Sequence, residues 1–158
     1  MDDEILIPKK YSIIGVFSSF FILKTSIFLF FYNETITGYI SLLSYIFTNL
    51  HWYNLKKKGI IRNIDILFAV SYCFYGLYRA NYLHCNTNYF YINTFLNIFA
   101  FLFNEYLNYN TMYSSEFYNN YSYHTQKLVY IRSVIVHTLF LHILQSQNII
   151  YTVIECNK

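Results

Sequence analysis

The chain has 158 residues, of which only 12% are charged, against about 25% in an ordinary soluble domain. So few charged side chains cannot cover a soluble domain of this size, and a hydrophobic fraction of 56% excludes disorder. A dispersed net charge of +3 gives no footing for a nucleic-acid partner, which leaves the lipid bilayer as the expected surroundings.

A membrane helix needs about 20 mostly apolar residues, and five stretches approach that. The first runs from Tyr11 to Tyr32 and is interrupted only by Lys24. The second, Thr35 to Trp52, contains no Asp, Glu, Lys or Arg. Only Asn33 and Glu34 separate the two, which forces an antiparallel hairpin. The third spans 64–83, with Asp65 near its start and Arg79 near its end. The fourth covers 88–107 and the fifth 127–144, both diluted by Asn93, Asn97 and Arg132, groups that usually face a bundle interior. Residues 109–126 read as a polar loop with aromatic side chains at the lipid interface. The expected fold is all-α: a single polytopic membrane helix bundle of about five transmembrane helices over residues 1–158.

Lysine and arginine in short loops set orientation. Lys9 and Lys10 precede the first span, and Lys56, Lys57, Lys58 and Arg62 follow the second. Both groups belong on the cytoplasmic side, so the N-terminus is expected there and the C-terminus outside. The acidic start shows no cleavage site, so the first apolar run is expected to be retained. Cys85 and Cys156 would share the outer side and could pair in an oxidising compartment. Asn33-Glu34-Thr35 is a glycosylation sequon too close to the membrane to expect use.

Ionisable groups inside a bilayer are functional candidates by default. Here they are Lys24, His51, Asp65, Arg79, Arg132, His137 and His142. Three imidazoles with a carboxylate suit zinc, because three neutral His nitrogens leave the fourth tetrahedral position for water. The metal brings that water's pKa towards neutrality, and Asp65 could accept its proton. Each residue also has a structural role open to it. His51 could sit with Trp52 at the headgroups. Asp65 could cap the third helix or pair with Arg62. His137 could make an interhelical hydrogen bond, and His142 could be a bundle or boundary residue. Lys24 could snorkel, or bond a carbonyl or Glu105.

The order of these residues resembles the CREST superfamily, which includes alkaline ceramidases and adiponectin/progestin receptors. The segments that carry the resemblance are NLHWYNLKKKGIIRNIDILFAV (Asn49 to Val70) and IRSVIVHTLFLHIL (Ile131 to Leu144). Members are seven-helix proteins holding zinc with one His from an early helix and two from the last, and the ceramidases hydrolyse lipid amides. The resemblance implies His51, His137 and His142 as metal ligands and Asp65 as partner of the zinc-bound water. It further implies a lipid amide substrate. The family's serine lies four residues before its first His; Phe47 stands there in this chain, and of the nearest hydroxyls, Thr48 and Ser44, Thr48 is the better substitute. The last two histidines are spaced HxxxxH instead of HxxxH. At about 100° per residue they would diverge by about 140° on a straight helix, and only a π-bulge would bring both to one face. Besides this hydrolase reading stand a non-enzymatic membrane scaffold or partner-binding protein, and a small channel using Lys24, Arg79 and Arg132. No ring of like charges favours the channel.

Overall fold

The computed structural model describes residues 7–53, 59–82, 88–114 and 116–157, apart from the side chain of Tyr118. All regular structure among them is helical. Four long helices, α1 (Lys9–Phe31), α2 (Thr35–Tyr53), α3 (Ile60–Tyr82) and α4 (Asn88–Tyr109), are followed by a single turn, α5 (Phe117–Asn120). A continuous helix, α6 (Tyr123–Cys156, 34 residues), ends the bundle and contains a π-helical turn at Thr138–Leu144. Three helices are long and apolar enough to cross a membrane: α1, α3 and α6. α2 and α4 approach α1 and α3 in length but are diluted by polar residues, in α4 mainly asparagine.

The bundle is polar inside and apolar outside. Among the described residues, 22 polar or charged side chains are buried against 13 hydrophobic ones, while Phe, Ile, Leu and Tyr dominate the exposed surface. Lipid permits such an inversion, since it gives helices no hydrophobic reason to associate. α1 shows the logic most plainly. Its buried face is Ser12, Gly15, Ser18, Ser19, Ile22, Thr25, Ser26 and Leu29, and its outer face carries Phe17, Phe20, Ile27 and Phe31. Small residues let backbones approach, and their hydroxyls join the helices. Ser26 donates to the Gly38 carbonyl (2.8 Å), and Ser41 of α2 donates to the Ile22 carbonyl (3.1 Å).

The expected α1–α2 hairpin is present. Asn33 adopts a left-handed conformation (φ 59°). The Glu34 amide reaches the Leu29 carbonyl (2.9 Å) and the Asn33 amide reaches that of Phe30 (3.1 Å). This paired closure ends a helix, and asparagine is the residue after glycine that best tolerates it. Glu34 also receives two bonds from the Arg79 guanidinium, each 2.8 Å, which ties the turn to the far end of α3.

α6 runs well past Leu144, where the fifth apolar stretch was expected to end. Its polar continuation turns inward. Gln145, Ser146 and Asn148 are all buried. Asn97 of α4 donates to Gln145 (2.6 Å), and Asn148 donates to Thr94 (3.1 Å). Within 109–126, expected as a polar loop, Phe117–Asn120 form a helical turn and α6 already begins at Tyr123. Met112 and Phe117 pack with Ile7, Trp52, Tyr130 and Val134 in one buried cluster, so the connection closes that end of the bundle. Cys73 is reduced and Cys156 is disulfide-bonded. Cys85, the partner expected from sequence, lies outside the described residues, as do Lys56, Lys57 and Lys58.

Candidate functional site

The π turn decides the geometry of the last two histidines. A π turn bonds each residue to the fifth one along, so one extra residue is absorbed without rotating the rest of the helix. Here the Gln145 amide reaches back to the Phe140 carbonyl. His137 and His142 therefore meet on one face, with ring centroids 5.1 Å apart and planes at 90°. The cause lies on either side of the turn. Upstream, Ser133 is held to α4 by Asn108 (3.0 Å). Downstream, Gln145 and Asn148 are held to α4 by Asn97 and Thr94. Both registers face α4 only if the turn between them takes up a residue.

Leu139 is 39% exposed and lies in the π turn. Deleting it should leave an ordinary α-helix with both registers intact, and thermal unfolding in micelles should shift little. Deleting exposed Gln147 instead should rotate Asn148 and Ile149 by about 100° and abolish cooperative unfolding. Equal damage from the two deletions would mean that the anchors on α4 do not set the register.

His142 is 2% exposed. Its Nδ1 lies 2.6 Å from Ser18 Oγ, and the Ser18 hydroxyl donates to the Gly15 carbonyl (3.0 Å). With the serine proton spent there, the network assigns the imidazole proton to Nδ1. Nε2 is then an unprotonated lone pair, buried without a hydrogen-bond partner among the described residues. A histidine fixed through one nitrogen with the other vacant is how metal-ligating histidines are held.

His137 makes no side-chain hydrogen bond among the described residues, so the expected interhelical bond is not found. Its ring instead meets Trp52 (4.9 Å), Phe101 (6.1 Å) and His142 edge-on. His51 and Trp52 are both buried, at 9% and 2% exposure, so the headgroup reading of this pair does not hold. The indole is the common neighbour of all three imidazoles, 6.2 Å from His51 and 6.2 Å from His142. Sequence reasoning does not single out Trp52. Its signal is Gly15, the one residue of α1 that can take a large ring against its backbone.

Asp65 does not cap α3, which begins five residues earlier at Ile60. Its Oδ1 accepts a 2.5 Å hydrogen bond from the Thr48 hydroxyl of α2. Arg62, its alternative partner, pairs with Glu105 of α4 (3.2 Å) and also donates to Tyr113 (3.2 Å). Burial, followed by the Glu105 charge, pushes the Tyr113 phenol pKa up, so it stays a donor to Glu105 (3.0 Å). Glu105 is thus engaged, and Lys24 lies on the exposed face of α1.

Two adjoining cavities run through this region. One, with ≈ 450 Å³ of empty space counting its open mouth, is lined by His51, Asp65, Glu105, Ser133 and His137 among others. The second, ≈ 500 Å³ on the same basis, is lined by Thr48, Asp65, Cys73, His137, His142 and Gln145 among others. Asp65, Ile66, Phe101 and His137 belong to both. Among the described residues, no three His, Cys, Asp or Glu side chains converge closely enough to hold a metal ion. Imidazole and carboxylate are donor types that zinc takes, but the described residues as placed do not form a closed metal site. No protein-family model, curated protein or solved structure matches the chain.

Proposed function

We propose that the chain is a multi-pass integral membrane protein whose cytoplasmic half carries a zinc-dependent hydrolase site of the alkaline ceramidase type, acting on a lipid amide. The observation that supports it is the π turn that puts His137 and His142 side by side, with a vacant buried Nε2, next to a Thr48–Asp65 pair. The anchors on α4 hold the π turn in place, and its effect is to bring two buried imidazoles together. Such bulges recur at functional sites.

His137 and His142 would hold the metal, with His51, which lines one cavity with His137, as third ligand. Bound zinc supplies water acidified to near neutrality as nucleophile. Thr48 fixes Asp65 through Oδ1, which orients the other carboxylate oxygen to accept the water's proton and pass it to the departing amine. The two cavities share an apolar wall at Ile66 and Phe101, a surface on which an acyl chain could rest. Lys9, Lys10 and Arg62 at one end support a cytoplasmic position for the site. The disulfide-bonded Cys156 at the other end suits an oxidising exterior.

The second reading, a membrane scaffold or partner-binding protein, is favoured by Trp52, which packs among all three imidazoles where a shared ligand would lie. Zinc content separates the two. Mass spectrometry of detergent-purified protein should find about one zinc per chain, lost in a His51→Ala/His137→Ala double variant that still unfolds cooperatively. Wild-type zinc no higher than that variant's would overturn the hydrolase reading and leave the scaffold.

A further inference from the structure

Lys24 is a charged residue that the bundle leaves exposed partway along α1. It lies about 22 Å along α1 from Lys9 and about 10 Å before Phe31, so it is deep in a helix long enough to cross a membrane. Its side chain is exposed and makes no hydrogen bond or ion pair among the described residues. About 10 Å to the helix end exceeds the stretch of a four-carbon stem, so snorkelling alone does not bring the ammonium to the headgroups.

The residues around it form a pattern. Phe17, Phe20, Lys24, Ile27 and Phe31 follow one another at spacings of 3, 4, 3 and 4, and the four apolar members are 67%, 49%, 50% and 81% exposed. A 3-4 spacing is the seam of a helix that packs along another helix. A single lysine at one seam position sets register and choice of partner. The chain's own described carboxylates are engaged elsewhere: Glu34 with Arg79, Asp65 with Thr48, Glu105 with Arg62, and Glu116 with Asn120. Glu155 also has a partner. A parallel second copy on this face would set two ammonium groups against each other.

We infer that the outer seam of α1 docks a transmembrane helix of another protein, one that carries a carboxylate at the depth of Lys24. An intramembrane cation and anion each cost insertion energy alone and relieve one another when paired. Phe17, Phe20, Ile27 and Phe31 supply the packing on either side, and the ion pair selects the partner. This inference rests on the membrane placement proposed above and is independent of zinc.

The test uses the full-length chain, donor-labelled and reconstituted in phosphatidylcholine vesicles at neutral pH. Acceptor-labelled polyleucine transmembrane peptides carry Asp, Leu or Lys at the matching depth, and association is read by energy transfer. The Asp peptide should associate about tenfold or more above the Leu peptide, with the Lys peptide no better than Leu. Lys24→Leu should erase the preference, and Phe17→Ala/Phe31→Ala should weaken association of the Asp peptide. Equal association of Asp and Leu peptides, or a preference that survives Lys24→Leu, overturns the inference. Carbonate extraction run first keeps the two readings apart. A chain that washes off the vesicles sinks the membrane placement and this inference together, whereas an integral chain without an Asp preference sinks this one alone.

Discussion

Asp65→Asn is expected to lower lipid amide hydrolysis by a factor on the order of 10² to 10⁴, the usual contribution of a positioned general base, while leaving zinc content and stability unchanged. The amide has the carboxylate's shape, and its oxygen still accepts the Thr48 hydrogen bond that now measures 2.5 Å. The variant removes the carboxylate's charge and with it the ability to take a proton. Thr48→Val should cost less, about tenfold, because the Asp65 carboxyl stays in place and loses the one bond that orients it. His137→Ala should remove zinc and activity together. These variants separate three roles for Asp65. Loss of zinc in Asp65→Asn would make it a ligand, and loss of cooperative unfolding would make it structural. A rate within a fewfold of wild type, on ceramide or related lipid amides, would remove it from the chemistry altogether.

Some of this is legible in the chain and some is not, for reasons that differ by residue. The five helical bodies follow from apolar length alone, and the tight hairpin from the two residues available between the first two spans. The side of each helix that faces inward is harder to read. In a soluble helix the buried stripe is the apolar one; in α1 it is Ser12, Gly15, Ser18, Ser19 and Ser26, a pattern that hydropathy averages away. The same inversion hides the end of α6. Gln145, Ser146 and Asn148 look like an exit into water, yet they are the helix's grip on α4. For the histidines, sequence supplies the condition, a π turn, and cannot supply its cause, which lies in anchors on both sides of the turn. Trp52 is invisible as a site residue because its surroundings come from α1 and α6, far away in the chain. Asp65 reads as a possible cap because the apolar run begins near it, whereas α3 starts at Ile60, ahead of that run.

Trp52→Ala is expected to destabilise the bundle by about 3–5 kcal/mol, the range for emptying a large aromatic site. Lipid lowers the transfer part of that cost, but the cavity part remains because the indole fills space among His51, His137, His142 and Gly15. Trp52→Phe should cost far less than its lost area suggests. The indole Nε1 is buried without a hydrogen-bond partner among the described residues, so the substitution also removes an unsatisfied donor. The contact with α1 gives the sharper measurement. A Cβ on Gly15 would lie 2.1 Å from the Trp52 ring, and neither a rigid indole nor a helix backbone can yield by a rotamer change. Gly15→Ala should therefore cost about 1–3 kcal/mol by overpacking, and it should push the indole towards the histidine pair. In a Trp52→Leu background the same alanine has room, so its cost should fall close to zero. That difference is the coupling energy between the two positions, read from urea unfolding of the four proteins in micelles. If Gly15→Ala costs the same with and without the indole, Trp52 does not lie against α1. The wall that holds His137 and His142 in place would then have to be sought elsewhere.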